Sequence, residues 1–284
     1  VRVVAVLSLK GGVGKTTVVL GLAGAAMRRG LPTLVVDLDP QGNSTVALRA
    51  ESTERTVAEV LDEPRSCAVE DAIGVSAWSD TVHVLTGSEN TERHNHPEPD
   101  ETRLRRLASA LDELADPADG GEGNEPYPLV LIDCPPSLGQ LSRCALVAAD
   151  QALLVTDPTI FAVAGVQRAF EAVQHERNRH NPRLQPLGLV VNRVRARSAE
   201  HAYRVDELRE LFGPLVLTGY IPDRSAIQQA QGACVPIQRW DTPGAREVAT
   251  VFGALLGRVL HDRGRPVGAT TDAAAASGDT RATG

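Results

Sequence analysis

Lys10 and Lys15 are the two lysines of a chain that otherwise takes its positive charge from 27 arginines. They bracket Gly11-Gly12-Val13-Gly14, and Thr16 and Thr17 follow directly. An ammonium is a compact point charge on a flexible stem, whereas a guanidinium is a wide planar fork. A cup lined by backbone amides has room for the first and not the second, so the pattern reads as phosphate binding by both lysines. The glycines free backbone N–H groups, and a helix starting after them adds its positive end. Lys15 would then reach the β- and γ-phosphates of a nucleotide, and the Thr16 hydroxyl would hold Mg²⁺.

The flanking stretches suit that task. The apolar run Val3 to Leu7 predicts a strand and Val18 to Arg29 a helix, which is the strand, glycine turn and helix order of a phosphate-binding loop. Pro32 to Val36 predicts a second buried strand, running into Asp37-Leu38-Asp39-Pro40-Gln41-Gly42-Asn43. Two carboxylates at a strand end read either as an acidic turn or as a ligand site where open α/β sheets place one. Leu129-Val130-Leu131-Ile132-Asp133 delivers one more carboxylate at the end of an apolar run, the Walker B pattern, followed by Cys134-Pro135-Pro136-Ser137-Leu138-Gly139. No base neighbours Cys134, so it reads as a packed small residue and not a nucleophile.

The loop departs from the general phosphate-binding pattern at Leu9, where a glycine is usual. Lys10-Gly11-Gly12-Val13-Gly14-Lys15-Thr16 instead resembles the deviant Walker A loop of the ParA/MinD ATPase superfamily. The segments from Asp37 and from Asp133 resemble that family's two switches, and the strand ends at Asn192 and Ile221-Pro222 resemble its base-side segments, so the likeness spans roughly residues 1–262. The resemblance implies an ATP- and Mg²⁺-dependent ATPase, weak until stimulated. Gly11, Gly12, Val13, Gly14, Lys15, Thr16 and Thr17 would hold the nucleotide, and Lys10 would reach it across a homodimer interface. Asp39 would position the attacking water, and Asp133 would support the Mg²⁺ shell with Thr16. Asn192 would contact the base, with Pro222 and Asp223 nearby. A ParA/Soj-type member would bind DNA non-specifically as an ATP dimer and answer to a ParB-type partner. A MinD-like member would instead position itself on a membrane or protein scaffold.

The rest of the chain alternates in kind. Thr81 to Leu85, Ala152 to Thr156, Leu187 to Val191 and Leu215 to Leu217 predict strands. Asp100 to Ala115, Phe161 to His175, residues 199–212 and Pro243 to His261 predict helices. Leu104, Leu107, Leu111 and Leu114 form one apolar face. This predicts an α/β fold: a mostly parallel sheet with helices on both faces, in a single domain over 1–262. Within it 88–128 is a variable insertion, with an acidic Gly/Pro-rich loop expected to be mobile from Asp116 to Pro128. Residues 263–284 hold no apolar stripe and are expected to be a disordered tail. That tail cannot form the basic amphipathic helix that anchors MinD-like proteins, so no membrane partner is expected.

Composition narrows the function classes. Cys67, Cys134, Cys144 and Cys234 show no paired metal spacing, which counts against an iron–sulfur relative and fits reduced thiols in the cytoplasm. His94 and His96 find no third ligand nearby in sequence. The net charge of −7 is segregated: 88–125 holds eleven acidic residues against four arginines, while 177–197 holds six arginines and no acid. Arg193, Arg195, Arg197 and Arg224 are therefore candidate DNA contacts, or else a solvated face in an arginine-biased chain.

Overall fold

The computed structural model describes residues 1–62, 68–98, 100–115 and 127–261. Its strands are β1 (Arg2–Leu7), β2 (Thr33–Asp37), β3 (Ile73–Ser76), β4 (Ser79–Leu85), β5 (Leu129–Asp133), β6 (Gln151–Thr156) and β7 (Gln185–Val191). Interleaved with them are α1 (Lys15–Arg28), α2 (Asn43–Ala47), α3 (Val57–Asp62), α4 (Arg106–Ala115), α5 (Gln140–Ala148), α6 (Ala162–Arg179), α7 (Ala199–Phe212), α8 (Ser225–Gly232) and α9 (Pro243–His261). Among the described residues the strands form a seven-stranded sheet in the order β3-β4-β2-β5-β1-β6-β7. Every pairing is parallel except β3 with β4.

The central strands are apolar end to end because both of their faces are covered. Along β1, Val3, Ala5 and Leu7 point into a core shared with α3 to α7, and Val4 and Val6 point into a second core shared with α1, α8 and α9. That split follows from the two-residue period of a strand. The face of α4 carrying Leu107, Leu111 and Leu114 is buried in the first core, as its spacing predicts. In the second core Phe252 of α9 lies against Gly21 of α1, where a Cβ would stand 2.2 Å from the ring. The glycine thus lets two helices approach at the back of the phosphate-binding segment.

Several expected boundaries move. The predicted strand Leu215 to Leu217 does not form. Gly213–Leu215 is a 3-10 turn begun by Pro214, which cannot donate to a ladder, and Val216 makes only an isolated bridge to Leu189. The helix expected from Asp100 starts at Arg106, after a turn in which the Asp100 carboxylate accepts from the Thr102 N–H and hydroxyl. The helix expected over Phe161 to His175 runs from Ala162 to Arg179. Residues 116–126 and 262–284, where a mobile loop and a disordered tail are expected, lie outside the described residues. Among the described residues, no helix is long and apolar enough to cross a membrane.

Candidate functional site

The carboxyl ends of β1, β2 and β5 bring three sequence segments to one place. Asp37 and Asp133 are register partners on adjacent strands. The loop after β1 runs beside them, with Gly12 at φ 78 and Gly14 at φ 99. Both angles are left-handed and cost a residue with a Cβ dearly. Gly14 has a second constraint, since a Cβ there would stand 2.2 Å from Nδ2 of Asn192. No side chain caps the start of α1, so its first N–H groups and its positive dipole end face the loop. Lys15 is the first residue of that helix and is buried.

The Thr16 hydroxyl donates to Oδ2 of Asp133 at 2.7 Å, and the Ser44 hydroxyl donates to the same oxygen at 2.7 Å. The other oxygen, Oδ1, is buried without a hydrogen-bond partner. A buried carboxylate with an unused oxygen and two adjacent hydroxyls is an oxygen donor set of the kind hard divalent cations take, and it fits Mg²⁺. Sequence reasoning supplied Thr16 and Asp133 but missed Ser44, although it directly follows the Asp37 to Asn43 segment.

Asp37 accepts from the Thr45 N–H and hydroxyl, both at 2.8 Å, and the Thr45 hydroxyl accepts from the Gly87 N–H at 2.9 Å. Its role is therefore to hold the segment after β2 in place. Asp39 sits at the turn, with Oδ1 accepting from the Gln41 N–H at 3.0 Å and its carbonyl accepting from the Gly42 N–H at 2.9 Å. No described group takes its second carboxylate oxygen. Burial pushes the Asp37 and Asp133 carboxyls above the ordinary carboxylate range. The charge of Asp133 adds to the rise at Asp37, while Thr16, Ser44 and Lys15 pull Asp133 back. Burial also pushes the Cys134 thiol up, which leaves it inert as a nucleophile.

A raised folded-state pKa means that stability is greatest below the unfolded value and is lost as pH climbs through the folded one. The nucleotide-free protein is therefore expected to lose stability from about pH 4 toward neutrality on account of these carboxyls. Urea midpoints measured from pH 5 to 7.5 check this. The fall should flatten in Asp37→Asn, and an unchanged slope there would clear Asp37 of the effect.

Lys10 turns along its own subunit: Nζ meets Oδ1 and Oδ2 of Asp157 at 3.0 and 2.9 Å, and donates to the Thr159 hydroxyl at 3.2 Å. Gly11 and Gly12 are exposed beside it. Thr17 accepts from Nε2 of Gln231 at 3.1 Å, so its hydroxyl ties α1 to α8. Asn192 is buried; Nδ2 donates to the Val13 carbonyl at 2.7 Å and Oδ1 accepts from the Arg193 N–H at 2.9 Å. It braces the phosphate loop from the end of β7. Pro222 is buried in a bridge to Val194. The Asp223 carboxylate accepts from Nε of Arg195 at 2.7 Å. Arg224 is forked onto Glu247, while Arg193 and Arg197 are exposed and form no ion pair with a described residue. Asp157, Thr159 and Gln231 were missed. Asp157 had a signal, a carboxylate at the end of a parallel strand, whereas Gln231 had none. His94 is buried against the Ala58 carbonyl at 2.9 Å, and among the described residues no group of three or more metal-ligand types gathers.

A glycine loop between the first strand and helix of a parallel sheet, with a carboxylate on the neighbouring strand touching the loop's threonine, defines the P-loop NTPase fold. A family model described as an AAA domain matches residues 1–186. The chromosome partitioning protein ParA of Caulobacter vibrioides is 31% identical over 249 residues, covering 84% of this chain and 87% of that one. The chain belongs to the ParA/MinD superfamily of P-loop ATPases. Among solved structures it is similar to the cell division ATPase MinD of Pyrococcus furiosus (TM-score 0.69, 26% identity, 91% of this chain and 98% of that one). It is also similar to a Mycobacterium smegmatis cobyrinic acid a,c-diamide synthase solved with a bound ATP analogue and magnesium (TM-score 0.72, 26% identity, 90% and 94%).

Proposed function

We propose that this protein is an ATP-driven DNA partition ATPase. Two copies sandwich ATP and bind DNA non-specifically. They release it when hydrolysis, stimulated by a ParB-type DNA-binding partner, separates them. The observation that carries the reading is the pairing of a buried Lys15 at the loop with unneutralised arginines, Arg193 and Arg197, at the same end of the sheet. Nucleotide state and DNA contact then share one face.

Gly11 to Thr17 would hold the triphosphate, Lys15 meeting its outer phosphates, with Thr16 and Asp133 holding Mg²⁺. The ion, when bound, offsets charge on the phosphate oxygens. Asn192 keeps one amide hydrogen beyond the Val13 contact, and together with Pro222 it would border the base. Phosphoryl transfer needs positioning more than covalent help, so Asp39, with one oxygen pinned by Gln41, aligns the attacking water through the other. The setting is the cytoplasm, on the nucleoid.

The test is retention on DNA with ATP, with ADP and with no nucleotide, across a salt series. Retention with ATP alone, weakening steeply with salt, is the expected result. Reversing Arg193 and Arg197 to glutamate should cut it by about tenfold or more while ATP binding stays unchanged. A second reading is favoured by the capture of Arg195 and Arg224 by carboxylates, which lowers the positive field of the face. In that reading the ATPase positions itself on a protein scaffold, as a MinD-like member would, and no retention in any nucleotide state supports it.

A further inference from the structure

The arginines at the carboxyl end of β7 are not equivalent. Val194 is buried between Arg193 and Arg195, and its bridge to Pro222 carries Asp223 alongside Arg195. One residue on, the stem of Arg224 lies across the first turn of α9, where a Cβ on Gly244 would stand 3.3 Å from its Cδ. That path takes the guanidinium to Glu247. Nε meets Oε2 at 2.8 Å and Nη2 meets Oε1 at 3.0 Å, while Nη1 donates to the Asp223 carbonyl at 3.2 Å. Of the two edges with which a guanidinium can grip a phosphate as a fork, one grips Glu247, and Nη1 of the other is taken by the Asp223 carbonyl.

We propose that Glu247 sets the strength of DNA binding by this face, holding Arg224 in a fork that a backbone phosphate must displace. The inference rests on the DNA-binding reading given above. Both partners are solvent-accessible, at 37% and 47% side-chain exposure, so the pair is screened and weak enough for a row of phosphates to compete with it. The outcome is a face that holds DNA less tightly than its arginine count implies, which suits a protein that must let go.

The experiment compares Glu247→Gln with the unaltered protein in ATP-dependent retention on double-stranded DNA. Glutamine keeps the shape and an acceptor oxygen for Arg224 but removes the charge. Glu101→Gln makes the same change of charge in a pair with Arg179, at the other end of α6 and away from the β7 arginines. Glu247→Gln should bind roughly three- to tenfold more tightly, with a salt slope steeper by about 0.9, the share of one more phosphate contact. Glu101→Gln should change neither, and the gain should vanish when Arg224→Gln is combined with Glu247→Gln. A pair that merely ties the turn to α9 would leave affinity unchanged or lower it. That result, or an equal gain in Glu101→Gln, overturns the proposal while leaving the DNA reading intact. If the unaltered protein shows no salt-sensitive retention at all, both fall together.

Discussion

Asp39→Ala is expected to bind ATP and Mg²⁺ within about threefold of the unaltered protein and to hydrolyse ATP at least about a hundredfold more slowly, the usual cost of losing a group that positions or deprotonates the attacking water. The two proposed roles fall on different segments. The groups that would hold the triphosphate, the loop amides and Lys15, come from the segment after β1, and Asp39 makes no hydrogen bond to that segment. Its fixed contacts are local, to the Gln41 and Gly42 N–H groups in its own turn. Asp37, two residues earlier, is what anchors the turn through Thr45. Asp39→Asn keeps the acceptor to Gln41 and should be nearly as slow, because a neutral amide neither takes a proton nor orients water as a carboxylate does. Single-turnover hydrolysis beside equilibrium binding of a fluorescent ATP analogue reads both quantities. If affinity were lost together with rate, Asp39 would belong to the binding cradle and the division proposed here would be wrong.

The parts of this site legible in the sequence are those that a parallel sheet makes locally. Each of β1, β2 and β5 is a run of apolar residues ending in a functional segment, because strands covered on both faces leave chemistry only at their ends. That Lys10, Lys15, Thr16, Asp39 and Asp133 lie at strand ends could be read for that reason. Contacts between segments distant in the chain left no such trace. Asp157 lies 147 residues from Lys10, and nothing beside either residue announces that they meet. Asn192 marked the end of β7, yet its brace on Val13 depends on how α1 and β7 sit across β1 and β6. Charge counting found Arg195 between 177 and 197, and Arg224 beyond it, but not their partners, since Asp223 comes from the turn before α8 and Glu247 from α9. The edge strand β3 escaped notice for a different reason. It is four residues long, contains Gly74, and acquires its pattern only by pairing with β4.

Lys10→Ala should abolish ATP-dependent dimer formation while leaving ATP binding to the monomer within about threefold, because Lys15 and the loop amides supply the contacts made within one subunit. The Lys10 ammonium is held by Asp157 and Thr159 of its own chain and does not face the loop it belongs to. The pair is half open to solvent on the lysine side, at 40% against 17% for Asp157, so on the order of 1 kcal/mol holds it and a phosphate charge presented by a second copy can draw the lysine away. Two further variants isolate the effect. Lys10→Arg should fail to dimerise almost as completely, because a planar fork does not enter a cup sized for an ammonium. Asp157→Asn should act in the opposite sense, lowering the protein concentration at which the dimer forms by about five- to thirtyfold, since each dimer releases two such pairs at about 1 kcal/mol or less apiece. Light scattering on the Asp39→Ala background, where ATP survives long enough to be seen bound, measures all three. A normal dimer in Lys10→Ala would remove this lysine from the interface, and its absence from every other position in the chain but Lys15 would then need another cause.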